Sequence, residues 1–178
     1  MTKIYKLSSI VGTAPLVVDF VQSANEIFEY FIMGNRDVKL PSTLTAELQS
    51  YEDRARIVKR DVIDASIGVL IVSKKFLELM NEEFYKECNP IALMVCYQKE
   101  TVFTGYILDV KGKSYIMDKA KSSFFDDQQQ YIQRAVCKRD TEEQFLITRD
   151  RDYPAVFRIS ETLAKTIEHL NLRTSADQ

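Results

Sequence analysis

The sequence predicts a single-domain α+β protein, with a mostly antiparallel sheet flanked by about three helices. Its apolar share of 46% and charged share of 28% are typical of a globular domain. Short extended segments follow one another in the middle of the chain and helical patterns flank them, which favours α+β over a βαβ repeat. No low-complexity linker divides the 178 residues, so we expect one domain over 1–172 and a disordered tail over 173–178.

The first third of the chain carries two predicted strands and one predicted helix. Residues 3–7 and 16–21 have the apolar content of short strands. The aromatic-rich segment 27–33, which a Gly-Asn turn signal follows, fits either a strand or a short helix. Residues 42–59 are predicted to be a helix, because Ser42 suits an N-cap and apolar residues recur every three or four positions. Those residues are Leu44, Leu48, Tyr51, Ala55 and Val58.

One pattern of strand, serine and helix occurs twice. The short apolar run 67–72 predicts a buried strand, and Ser73 after it suits the N-cap of a helix. Residues 155–159 and Ser160 repeat this order, again with a large apolar residue three places after the serine. Capping is the interpretation that we favour. A nucleophile or anion anchor is the alternative, although neither serine lies in a GxSxG elbow. The apolar stripes of the two helices are Phe76, Leu77, Met80 and Phe84, and Leu163, Ile167 and Leu170.

The middle of the chain predicts a meander of strands. The segment 98–100 is a plausible hairpin loop between two extended stretches, and a Lys-Gly-Lys turn leads into a third strand. The polar segment 118–130 is predicted to be an irregular connection, and an acidic turn separates two later strands. The predicted strands of this region are 91–97, 101–110, 114–117, 131–138 and 144–148.

The chain lacks a recognisable set of catalytic or metal-binding residues. It has one histidine, His169, and its cysteines, Cys88, Cys96 and Cys137, do not have the spacing of a zinc site. The carboxylate pairs are adjacent in sequence and therefore point apart on regular elements. No glycine-rich phosphate motif is present. We expect a protein that is not an enzyme and has no cofactor, while an enzyme whose Asp, Glu, Ser or Tyr residues meet only in the fold remains an alternative.

Charge and cysteine usage indicate the compartment and the partner class. A net charge of −2 argues against a general nucleic-acid binder, which needs a basic surface. An odd number of cysteines without CxxC is typical of reduced thiols in a cytosolic protein. The longest apolar run is too short for a membrane span, and the N-terminal segment is a poor signal peptide. The sequence therefore predicts a cytoplasmic protein without membrane or nucleic-acid partners.

Several segments carry a resemblance to a known family. They are IVSKKFLELM at 71–80, NPIALMVCYQKETVFTGYILDV at 89–110, SYIMDKAKSSF at 114–124 and FLITRDRDYPAVFRISETLAKTIEHLNL at 145–172. With these segments the chain resembles the immunity proteins of bacterial polymorphic toxin systems, specifically immunity family eleven, formerly a domain of unknown function. The resemblance implies a protein that binds and neutralises a cognate toxin or effector in bacterial competition, the toxin being encoded by an adjacent gene. An adaptor or chaperone that loads a secreted effector is the alternative.

The candidate partner-binding surface is the loop at 126–131 and its neighbours. Immunity proteins that block a basic active site present carboxylates to it, because complementary charge steers association. The loop combines two carboxylates with an aromatic residue, and two phenylalanines precede it. The alternative is a solvated loop whose phenylalanines pack into the core, preceded by an Asp-x-x-x-Ser pattern that fixes a turn. The predicted binding residues are Asp118, Ser122, Phe124, Phe125, Asp126, Asp127 and Tyr131.

Overall fold

A computed structural model describes residues 1–8, 17–22, 24–48, 54–170 and 172–176. The predicted α+β class is confirmed: among the described residues, strand is the dominant element at 41% against 19% helix. The strands are β1 Thr2–Ser8, β2 Val17–Phe20, β3 Leu44–Leu48, β4 Val62–Ala65, β5 Leu70–Val72, β6 Cys88–Tyr97, β7 Glu100–Val110, β8 Lys113–Ser114, β9 Ser123–Phe124, β10 Ile132–Arg134, β11 Asp140–Thr141, β12 Ile147–Asp150, β13 Phe157–Ser160 and β14 Arg173–Ala176. The helices are α1 Ala24–Phe28, which continues as a π-helical turn at Glu29–Met33, α2 Arg54–Ile57, α3 Lys74–Leu77, α4 Glu82–Glu87 and α5 Glu161–Thr166.

Six of these strands close into a barrel in the order β2-β3-β6-β7-β5-β4. The pairs β2–β4 and β3–β6 are parallel and the others are antiparallel. Every second side chain of a strand points inward, so Ile71 of β5 and Ile107 of β7 lie in the barrel core. Ile27 and Phe31, from α1 and the π-helical turn, belong to the same core cluster. The barrel is therefore a packed core and not an open channel.

The hairpin β6–β7 is the longest pairing in the barrel and matches the predicted hairpin. Its connection is tighter than expected, because Gln98 and Lys99 both have positive φ, 50° and 71°. A positive φ at both positions is the requirement of a two-residue turn that follows the strand twist. Farther along β7, a Cβ on Gly105 would lie 2.7 Å from Phe103 and 2.9 Å from Ile71. Glycine is therefore needed where β7 passes β5.

A second sheet packs against one wall of the barrel. Its order is β11-β1-β13-β12-β8, and β14 also pairs with β1. The pair β8–β12 is parallel, and the other pairs of this sheet are antiparallel. Outward-facing barrel residues such as Leu70 and Val72 form a second apolar cluster with Ile147 and Ile159 of the sheet, and Phe76 of α3 lies in the same cluster. The fold thus consists of a barrel, an apolar layer and a sheet.

The predicted serine caps are confirmed in both units. Ser73 Oγ accepts the Phe76 N–H at 3.1 Å, and Ser160 Oγ accepts the Leu163 N–H at 3.3 Å. The backbone angles of the two serines are nearly identical, with φ −75° and ψ 163° at Ser73 and φ −76° and ψ 164° at Ser160. Ser73 differs in that its hydroxyl also donates to the buried Asp61 carboxylate, at 2.6 Å.

Several expectations from the sequence are wrong. The predicted helix over 42–59 is strand β3 followed by the short helix α2, while 49–53 lie outside the described residues. The predicted helix after Ser73 is two helices, because Asn81 caps the second one. The segment 114–117 is no third meander strand, since β8 pairs in parallel with β12. Three further predictions are corrected. The predicted antiparallel sheet is a barrel plus a mixed sheet, the described residues contain five α-helices rather than about three, and Arg173–Ala176 of the predicted tail is a strand.

Candidate functional site

The predicted binding loop is closed by its own main chain and by one carboxylate. The Phe125 N–H donates to the Tyr131 carbonyl at 2.9 Å, beyond the short pair β9–β10. Asp126 Oδ1 accepts the N–H groups of Tyr131 and Gln130, at 2.8 and 3.0 Å. These backbone N–H groups, that of Tyr131 first, hold the pKa of Asp126 below its ordinary value of 3.8, since hydrogen bonds favour the charged form. Asp126 therefore shapes the loop, while Asp127 beside it is exposed.

Asp118 and Ser122 fix the turn that precedes this hairpin. Ser122 Oγ lies 2.7 Å from the Asp118 carbonyl, to which it donates, and accepts the Val136 N–H at 3.0 Å. The Asp118 carboxylate pairs with Lys121 at 3.0 Å, and this partner lowers the pKa of Asp118. Both side chains are directed to the turn itself. The structure thus gives the Asp-x-x-x-Ser pattern a local structural role.

A surface groove of about 510 Å³ lies beside the loop. We call it the apolar groove. The loop supplies Phe125 and Tyr131, and the N-terminal helical segment supplies Phe28 and Met33. These four side chains are exposed by 73%, 67%, 37% and 49% respectively. Exposed apolar side chains that meet around one concave surface are typical of a binding site, whereas the same residues scattered singly need no explanation.

The third wall of the groove is the turn Asp152 to Ala155. The Tyr153 hydroxyl donates to the Gln129 carbonyl at 2.8 Å, which ties this turn to the loop. Phe124 packs on the Tyr153 ring with 5.7 Å between ring centroids and is half-buried. Lys119 pairs with Asp152 at 2.7 Å at the rim. The loop and the turn are therefore one connected surface.

The carboxylate of Asp150, at the end of β12, anchors this turn from below. It is 2% exposed, and its Oδ1 accepts the N–H groups of Asp152 and Tyr153, each at 3.0 Å. Its Oδ2 accepts the N–H groups of Ile116 and Met117, at 3.1 and 2.8 Å. Four hydrogen bonds to one buried carboxylate fix the turn relative to the segment after β8.

Two arginines contact the segments that form the groove, one at the 152–155 turn and one at the helical segment. Arg149 has the largest fully buried side chain among the described residues and donates to the Pro154 carbonyl at 2.8 Å. Burial lowers the pKa of Arg149 to about 10. Arg36 pairs with the buried Asp109 at 2.7 Å and lies over the Tyr30 ring at 4.4 Å. The pairing with Asp109 raises the pKa of Arg36. The helical wall of the groove is thereby connected to β7 of the barrel.

The sequence identified only part of this surface. Phe125 and Tyr131 line the groove and Phe124 supports it, whereas Asp126, Asp118 and Ser122 shape the backbone around it. Asp127 is exposed on the loop. Sequence reasoning missed the contributions of 28–33 and 152–155. The sequence does carry a signal for the segment 28–33. Six of the seven residues 27–33 are apolar, which is more than one buried face of a short helix can accommodate, so some of them must be exposed.

The serine, cysteine and histidine side chains that the sequence offers for chemistry, namely Ser73, Ser160, Cys88 and His169, lie outside the apolar groove. Burial raises the pKa of the Cys88 thiol to about 12, so the thiol is protonated and weakly nucleophilic at neutral pH. Ser73 and Ser160 cap helices, and His169 is exposed. Within the described ranges, no group of three or more His, Cys, Asp or Glu side chains is arranged to hold a metal ion.

Comparison with known proteins gives no family. No protein-family model matches the chain, and no curated protein matches it. Membership of the immunity family therefore stays a prediction. In the part of the chain that the structure covers, no helix is both long and apolar enough to cross a membrane.

Proposed function

We propose that this chain is an immunity protein that binds a cognate bacterial toxin and neutralises it by stoichiometric protein–protein interaction. The toxin or effector is encoded by an adjacent gene. The observation that carries the proposal is the apolar groove, where Phe125, Tyr131, Phe28 and Met33 are exposed around one concave surface. The family resemblance supplies the class of partner.

The chemistry of the groove favours a protein partner over a small polar ligand. Aromatic side chains and methionine are the residues enriched at protein interfaces, because they bury a large apolar area with few rotatable bonds. The groove is open along one side of the loop and offers apolar contact over most of its lining. An apolar side chain of the toxin that enters it is the expected anchor of the complex.

One exposed carboxylate without an ion pair among the described residues stands next to this apolar surface. Asp127 on the loop is exposed, and within the described residues it has no ion pair. Complementary charge raises the rate of association and selects among partners more than it raises affinity. We therefore expect the toxin surface around the anchor to be basic.

The test is the affinity for the toxin encoded by the adjacent gene, measured by isothermal titration calorimetry. The double variant Phe125→Ala, Tyr131→Ala should weaken the complex about 100-fold or more, since it removes two exposed aromatic side chains that the bound toxin would bury. Val58→Ala is the matched control, because Val58 is 57% exposed but does not line the groove. Co-expression of the wild-type protein should also restore growth of cells that make the toxin.

One result would reject the proposed function, and another would reject the proposed binding surface. The first is the absence of any complex between the purified proteins and of any growth rescue. The second concerns the surface alone: equal affinity of the double variant and the Val58 control would move the interface away from the groove.

An adaptor that loads a secreted effector is the second candidate, because the same apolar groove suits the apolar side of a loading segment. Gene deletion separates the two functions. Poisoning of the deletion strain by its siblings supports immunity, whereas loss of effector secretion without poisoning supports the adaptor.

A further inference from the structure

A second depression of about 500 Å³, which we call the basic cavity, lies on the other side of the 152–155 turn. It is lined by β1, by the end of β4, by β10 and by the start of β13. Ala155 lines both this cavity and the apolar groove. The proposed function makes no use of the basic cavity.

Three cations and one carboxylate line the cavity. Among the described residues that line it, Lys6, Arg134 and Arg158 contribute three positive charges and Asp64 one negative charge, a formal sum of +2. Arg158 is 7% exposed and donates to the Phe157 carbonyl at 2.7 Å. Within the described residues, Lys6 and Arg134 have no ion pair or side-chain hydrogen bond. Arg158 and Asp64 have further interactions within the protein, so Lys6 and Arg134, which are both exposed, are the cations available to a ligand.

Strand register brings two of the cations together. The antiparallel pair β1–β13 sets Ile4 opposite Ser160 and Tyr5 opposite Ile159. Lys6 follows Tyr5 in β1 and Arg158 precedes Ile159 in β13, so the two cations come from neighbouring strands. Both line the basic cavity, which brings their charges to one concave surface.

The shape and the walls of the cavity also suit an anion. Apolar groups such as Val156 and the half-buried Phe157 form part of the lining. A concave surface with one sign of charge and low-dielectric walls concentrates the electrostatic field. A guanidinium presents parallel N–H donors that match two oxygens of a phosphate group. The volume falls within the usual range for small-molecule sites, about 300–1,000 Å³.

We propose that the basic cavity binds a small phosphate-bearing ligand of about nucleotide size. Arg134 and Lys6 contact the phosphate oxygens, Arg158 supplies positive charge from the wall, and Phe157 contacts the apolar part of the ligand. This site is independent of toxin binding at the apolar groove. It would explain why three cations converge on one cavity in a chain whose net charge is −2.

The experiment measures binding of inorganic pyrophosphate and of ADP by isothermal titration calorimetry at low ionic strength, with adenosine as the uncharged probe. We expect pyrophosphate and ADP to bind and adenosine to bind at least about tenfold more weakly, because the phosphate supplies most of the attraction. Arg134→Gln and Lys6→Gln should each weaken ADP binding about tenfold. Lys113→Gln, at an exposed cation outside the cavity, should leave it unchanged.

Three outcomes would overturn the proposal. They are the absence of binding by both phosphate probes at millimolar concentration, unchanged ADP affinity in both cavity variants, and equal affinity for ADP and adenosine. Binding of a hexaglutamate peptide when the phosphate probes fail would assign the cavity to an acidic protein segment, which also contradicts the proposal. Thermal unfolding of each variant verifies that the chain still folds.

Discussion

The apolar groove and the basic cavity share one wall but differ in chemistry. Ala155 lines both, and β10 supplies Ile132 to the groove and Arg134 to the cavity. Residues two apart on a regular strand face the same side. Here the pairing of β9 with β10 shifts register between Ile132 and Arg134, and such an irregularity re-aims side chains. One short hairpin thereby presents an apolar surface on one side and a cationic surface on the other.

The largest expected effect comes from removing the support that the two surfaces have in common. Asp150→Ala leaves the N–H groups of Met117, Asp152 and Tyr153 without an acceptor, whereas the Ile116 N–H keeps the Ser114 carbonyl at 3.1 Å. Each unsatisfied buried group costs about 1–3 kcal/mol. We expect a loss of about 4 kcal/mol or more in the free energy of unfolding, measured by urea denaturation. Asp127→Ala, at an exposed carboxylate, is the control and should change stability by less than about 0.5 kcal/mol. Similar stability of the two variants would contradict the anchoring role of Asp150.

The next effect shows whether the two surfaces bind their ligands independently, because each ligand is measured on a variant of either surface. Phe125→Ala, Tyr131→Ala should weaken toxin binding about 100-fold and leave ADP binding unchanged, because neither side chain lines the basic cavity. Arg134→Gln should do the reverse, with about a tenfold loss for ADP. Isothermal titration calorimetry of both variants, each with the toxin and with ADP, distinguishes these outcomes. If either variant weakens both ligands alike, the groove and the cavity form one coupled site.

A smaller effect is expected at the hydrogen bond that ties the turn to the loop. Tyr153→Phe removes the donor to the Gln129 carbonyl but keeps the ring that packs on Phe124. The loss in unfolding free energy should be about 1 kcal/mol, as for a typical net hydrogen bond. Toxin affinity should fall while ADP affinity stays, since the bond positions only the groove side. A loss of ADP affinity would show that the loop also shapes the cavity.

The smallest effect is a pH dependence of the loop. The folded-state pKa of Asp126 is depressed below 3.8. The loop stabilisation from the hydrogen bonds that its charged carboxylate accepts is therefore fully present above pH 3.8 and is lost as pH falls through the folded-state pKa. The amide resonances of Gln130 and Tyr131 should shift over that acidic range in a pH titration by NMR. Asp126→Asn should abolish the titration. Amides that shift identically in the variant would rule out Asp126 as their acceptor.

Local signals in the sequence predicted local structure well. The two serine caps and the β6–β7 hairpin depend on residues close together in the chain, so they could be identified. The predicted helix at 42–59 is wrong because Leu44 and Leu48, four apart, fit both a helical and a strand period. Ala46, buried between them, belongs only to the strand pattern.

Closure of the barrel and assembly of the groove could not be predicted in the same way. The parallel pairs β2–β4 and β3–β6 join segments that no turn signal connects. The groove combines 28–33, 125–132 and 152–155, which are distant in sequence. The loop was identified by its composition, but the partners that make it a concave surface come from tertiary packing. For the same reason the sequence showed Arg134 and Arg158 only as separate charges.

The way the 125–131 loop is closed has a consequence for how this surface can diversify. Its path depends on main-chain bonds and on Asp126, whereas Phe125 and Asp127 project outward and are exposed. Under the proposed function, substitutions at these outward positions would alter which toxin the surface binds at little cost to folding, because exposed substitutions usually change stability only slightly. The barrel and sheet would then stay constant while one or two changes in the loop select another partner.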